Sequence, residues 1–74
     1  MKPEFIYPLF EKGKLELRFE NDIVCIYGTK EGLLKLIEVI QTLIDNPDLG
    51  HIHLEDSQQL LTIRSRKGAV AIFD

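Results

Sequence analysis

Between Lys14 and Glu20 apolar and polar residues alternate without a break. Leu15, Leu17 and Phe19 fall on one side, and Lys14, Glu16, Arg18 and Glu20 on the other. A period of two predicts a strand with one buried face and one wet face. Upstream, Phe5-Ile6-Tyr7 and Leu9-Phe10 are apolar around Pro8. Proline cannot donate to a sheet ladder, so this piece reads as an edge strand or an extended arm. Glu11-Lys12-Gly13 supplies the turn that follows it. Asn21-Asp22 signals the next turn, after which Ile23-Val24-Cys25-Ile26-Tyr27 is continuously apolar. Such a run predicts a central strand, covered by a helix on one side and by more protein on the other.

From Lys30 to about Asp45 the period changes. Leu33, Leu36, Ile37, Ile40, Leu43 and Ile44 form one stripe at helical spacing, with Leu34 and Val39 on its shoulders. Glu31, Lys35, Glu38, Thr42 and Asp45 occupy the other side, and Glu31 and Lys35 have the i,i+4 order of a favourable ion pair. Gly28 ends the preceding strand and Thr29 is the expected N-cap. Asn46-Pro47-Asp48 stops the helix, because a residue before proline resists the α region.

Three short runs complete the chain. His51-Ile52-His53-Leu54-Glu55 alternates. Leu60 to Ser65 reads as a strand entered through Asp56-Ser57-Gln58-Gln59, and Ala69 to Phe73 as another entered through Arg66-Lys67-Gly68. The expected architecture is α+β, in the order β-β-β-α-β-β-β. Five or six short, mostly antiparallel strands form one sheet, with the single amphipathic helix packed on one face.

Composition sets the scale. The chain has 74 residues, 45% of them hydrophobic and 28% charged, which fits one globular domain spanning 1–74 and argues against disorder. Nine Lys+Arg against twelve Asp+Glu leave a formal charge of −3. That balance disfavours nucleic acid as a partner, since a dedicated binder carries a basic excess. The one cysteine, Cys25, allows no internal disulfide, which suits a cytoplasmic setting. Neither a secretory leader nor a membrane span is expected from Met1-Lys2-Pro3-Glu4-Phe5 or from the apolar stretch Leu33 to Ile44. A core of this size contributes only about 3–5 kcal/mol net, so a partner or a homodimer is expected to cover apolar surface.

The sharpest chemical feature is His51-x-His53-x-Glu55. Residues at i, i+2 and i+4 of a strand share one face, and two imidazoles with a carboxylate are zinc-competent. Same-face side chains on one strand diverge, so a metal would need a ligand from elsewhere, with Asp48 and Asp56 the nearest carboxylates. Contact with a partner is the favoured role for His51, His53 and Glu55, with metal binding the rival. Cys25 lies within the most apolar strand and reads as a core residue rather than a nucleophile. Gly28-Thr29-Lys30-Glu31-Gly32 lacks the spacing of a phosphate loop and reads as a turn and cap, with Gly32 permitting close approach of helix and sheet. Arg64, Arg66 and Lys67 form the one basic cluster, read as a solvated turn. No cofactor and no catalytic set are expected.

Two segments taken together resemble a known family. Tyr27-Gly28-Thr29-Lys30-Glu31-Gly32-Leu33-Leu34 opening a leucine-rich helix, and Gly50-His51-Ile52-His53-Leu54-Glu55 followed by Leu61-Thr62-Ile63, are similar to a family of small bacterial immunity proteins. It is the family numbered thirty-two among those of polymorphic toxin systems. The likeness covers about Ile26 to Ser65, and Gly50, His51, His53 and Leu54 match its most specific run. It implies a protein that binds and neutralises a toxin domain without catalysis. Two alternatives remain: a metal-binding protein or metal-dependent enzyme using His51, His53 and Glu55, and a structural or regulatory homodimer.

Overall fold

The computed structural model describes residues 11–57 and 59–73. It is α+β, in the order β1 (Leu15–Glu20), β2 (Ile23–Gly28), α1 (Lys30–Asp45), β3 (His51–His53) and β4 (Ala69–Ala71). Short 3₁₀ turns cover Pro47–Leu49 and Leu54–Asp56. The expected single sheet of five or six strands is not what forms. The four described strands make two separate antiparallel pairs, β1 with β2 and β3 with β4. The apolar piece before Lys14 falls largely on residues 1–10, outside the described residues.

The first pair is a tight hairpin. Glu20 is set against Ile23, and the intervening Asn21 and Asp22 have φ of 51° and 63°. Positive φ at both loop positions is the type I′ arrangement, whose twist matches that of the strands, and Asn and Asp tolerate it best after glycine. The register puts Leu17 against Ile26 and Phe19 against Val24 on one face, with Glu16 against Tyr27 and Arg18 against Cys25 on the other.

Among the described residues β1, not β2, is the central strand. Its second edge is met by the segment 60–66, where Leu60–Ser65, expected to be a strand, is reduced to one parallel bridge between Leu15 and Leu61. The Leu15 N–H donates to the Leu60 carbonyl at 2.8 Å and the Thr62 N–H to the Leu15 carbonyl at 2.9 Å. A turn then closes from the Ser65 N–H to the Thr62 carbonyl, and the Ser65 hydroxyl takes the place of a ladder carbonyl by accepting from the Leu17 N–H at 2.7 Å. The turn replaces regular pairing because it aims Thr62 and Arg64 at β1. The chain leaves β3, crosses β1 and returns to β4, closed by the Leu54 N–H on the Gly68 carbonyl at 2.8 Å.

The helix keeps its expected bounds. The Thr29 hydroxyl accepts from the Gly32 N–H at 3.1 Å and from the Gly13 N–H at 2.9 Å, tying cap and hairpin entrance together. Asn46 closes the far end through its N–H on the Leu43 and Thr42 carbonyls. Gly32 is where the helix touches the hairpin: a β-carbon there would lie 2.1 Å from the Lys14 carbonyl oxygen. That contact sets the rotation of the helix. Leu36, Val39 and Leu43 turn inward, while Leu33, Ile37, Ile40 and Ile44, expected on the buried stripe, are exposed. The core is Leu15, Leu17, Leu54 and Leu60, with Leu36, Val39 and Leu61 packed against it. Burying a leucine contributes about 2 kcal/mol. No described helix is long and apolar enough to cross a membrane.

Candidate functional site

Gly50, with φ of 73°, turns the chain into β3, whose partner β4 offers only Ala69, Val70 and Ala71. Ile52 lies opposite Val70 and is half-buried, so His51 and His53 project from the other face and are exposed. Their rings meet edge to face with centroids 4.9 Å apart. Glu55 is not on the strand as expected; it lies in the 3₁₀ turn that begins at Leu54. The turn still returns its carboxylate to the pair, with Oε2 3.3 Å from His53 Nδ1. Its Oε1 accepts from the Gly68 N–H at 3.3 Å.

The Glu55 carboxyl is held below its usual range. Its own backbone N–H contributes most, and partial burial opposes it. The Gly68 N–H, His53 and Lys67 assist. All three predicted residues therefore meet at one place, as an exposed polar surface. Among the described residues no group of three or more His, Cys, Asp or Glu side chains is arranged to hold a metal ion.

A second constellation lies on the polar face of the hairpin, and the alternating pattern hides it. Glu16, expected on the wet side, is completely buried. Its Oε2 accepts from Arg18 Nε at 2.7 Å, its Oε1 accepts from the Thr62 hydroxyl at 2.8 Å, and Arg64 Nη2 stands 3.6 Å away. Arg18 also donates from Nη1 to Glu20 at 3.1 Å and lies 5.3 Å from the centre of the Tyr27 ring, and the Tyr27 hydroxyl donates to Glu20 at 3.0 Å. Burial by itself would push the Glu16 carboxyl up. The Thr62 hydroxyl, Arg18 and Arg64 outweigh it and hold the group below its usual range. Glu16 is thus a fixed anion at neutral pH, and the cluster ties the crossing segment to β1. The signal was the sign alternation Glu16-Arg18-Glu20. Arg64, read as part of a solvated turn, is a partner in this cluster.

The opposite face of the hairpin is apolar and open. Phe19 is 53%, Val24 73% and Ile26 52% exposed. With Leu36 and Ile40 of the helix and Val70 of β4 they line a groove of about 390 Å³, and Arg18, Arg66, Lys67 and Gly68 complete its wall. Apolar side chains with a few convergent polar groups are the usual lining of a binding cleft. A second groove, of about 410 Å³, lies between Lys35, Glu38 and Thr42 of the helix and Asp56 and Ser57. Cys25 is buried beneath the hairpin, its thiol 3.7 Å from the Ile23 carbonyl oxygen.

No protein-family model, no curated protein and no solved structure matches the chain.

Proposed function

We propose that this chain is a non-catalytic binding protein that neutralises a bacterial toxin domain by docking it on the apolar groove between β1–β2, α1 and β4. The observation that carries the reading is that groove. Phe19, Val24, Ile26 and Ile40 are each 40% or more exposed, side by side, on a small chain. Large apolar side chains gathered on one surface mark an interaction site. Aromatic and aliphatic anchors surrounded by a polar rim are what a stable interface is built from. Arg66 and Lys67 furnish that rim.

The resemblance of Tyr27–Leu34 and Gly50–Glu55 to an immunity family supports the choice of a toxin as partner. His51, His53 and Glu55 lie on the far face of the β3–β4 pair from Val70, so they contribute as a second contact surface rather than as the groove itself. The lone thiol of Cys25 suits action in a reducing cytoplasm.

Co-expression with the toxin domain encoded beside this gene tests the reading. Cells survive when the chain is present, Val24→Asp with Ile40→Asp removes protection, and His51→Ala with His53→Ala reduces it more weakly. A toxin that kills equally with and without the chain contradicts the proposal.

A further inference from the structure

We infer that the outer edge of β2 pairs with the same edge of a second copy of this chain, antiparallel and centred on Cys25. The inference goes beyond toxin binding and does not depend on it. Hydrogen-bonding direction alternates along an antiparallel ladder, and a two-residue turn makes Glu20 and Ile23 a hydrogen-bonded pair. Cys25 and Tyr27 therefore turn their backbone groups toward β1, and Val24 and Ile26 turn theirs outward. Among the described residues β2 pairs with β1 alone, and no other backbone group bonds Val24 or Ile26. Soluble proteins blunt such an edge with a charge, a proline or a bulge. Ile23–Gly28 has neither charge nor proline, and its register with β1 runs unbroken.

The strand complements itself. A two-fold axis at Cys25 sets Val24 against Ile26 of the partner subunit as a hydrogen-bonded pair, and Ile23 against Tyr27 of the partner subunit. Apolar side chains then face apolar side chains throughout. The same axis lays Asp22 of each turn toward Lys30 of the partner subunit and the first turn of its helix. Both the lysine and the helix N-terminus favour carboxylates. Because the axis is perpendicular to the sheet, both copies present Phe19 and Val24 on the same side of one four-stranded sheet.

Sedimentation velocity of the full chain, from about 1 to about 100 μM, tests this in the range expected of a small interface. A dimer is expected, its fraction rising with concentration. Diamide, which takes up two hydrogens as two thiols join, should then link the copies through Cys25, since directly opposed residues of a non-hydrogen-bonded pair lie within disulfide reach. Val24→Lys should raise the dissociation constant at least tenfold and suppress the link. Ile37→Lys, on the exposed side of the helix, should change neither. A monomer throughout overturns the inference. So does a dimer that survives Val24→Lys and dissociates in Ile37→Lys. A monomer whose Val24 and Ile26 amides resist hydrogen exchange overturns it too, since the edge is then covered within one chain.

Discussion

The two faces of the β1–β2 hairpin invert the usual order. The charged face is closed at Glu16, which is completely buried with its carboxylate bonded by Arg18 and by Thr62, while Arg18 and Glu20 beside it are half-buried. The apolar face is buried at Leu15 and Leu17 but open at Phe19, Val24 and Ile26. One helix can cover one side of a hairpin only in part. Here the crossing segment Leu60–Arg66 takes the strand edge and fixes itself through Glu16, while the helix covers only the Gly28 end of the apolar face. The contrast teaches that polarity and exposure separate where a buried anion is fully partnered, and that apolar side chains stay exposed where the helix does not reach.

The largest expected effect comes from opening the closed face. Glu16→Ala removes the anion around which Arg18, Thr62 and Arg64 gather, and should cost about 3 kcal/mol of unfolding free energy by urea titration. A loss under about 1 kcal/mol would mean that the crossing segment is held by Leu60 and Leu61 alone.

Acid gives the next effect. The Glu16 carboxyl ionises more readily in the folded chain than in the unfolded one. Its contribution is therefore fully present above the ordinary carboxylate value and is lost as pH falls through the lower folded value. The wild type should lose stability below about pH 4.3, the ordinary value of a glutamate. Glu16→Gln, lacking the titrating group, should show a flatter slope there in thermal melts followed by circular dichroism. Equal slopes would place the acid sensitivity elsewhere.

The smallest effect belongs to the open face. Phe19→Lys exchanges a half-exposed ring for a solvated charge whose stem can still lie on the apolar surface, and should alter stability by no more than about 0.5 kcal/mol.

What was legible in the sequence was local. Thr29, Asn46 and Pro47 bound the helix through contacts within a turn, and Asn21-Asp22 specifies its hairpin through backbone preference alone. The junction at Gly32 was legible too, because only the smallest residue permits so close an approach. The buried state of Glu16 was not, since its Thr62 partner lies 46 residues away. Nor was the rotation of the helix: Ile37 and Val39 are equally apolar, and the Gly32 contact with Lys14 decides which turns inward. Leu60–Ser65 has the composition of a strand, but the turn that brings Thr62 and Arg64 to Glu16 leaves it a single bridge. For the site, the shared face of His51 and His53 was legible from strand spacing, whereas Glu55 joins them through a 3₁₀ turn that the alternation did not show, and the groove depends on how much of the hairpin the helix leaves bare.

The hairpin's charged face helps to hold the fold through Glu16, whereas the open end of its apolar face, at Phe19, does not. The order of the urea midpoints of Glu16→Gln and Phe19→Lys, measured side by side at neutral pH, tests it most directly. A clearly lowered midpoint is expected for Glu16→Gln and one close to wild type for Phe19→Lys. The reverse order would contradict it.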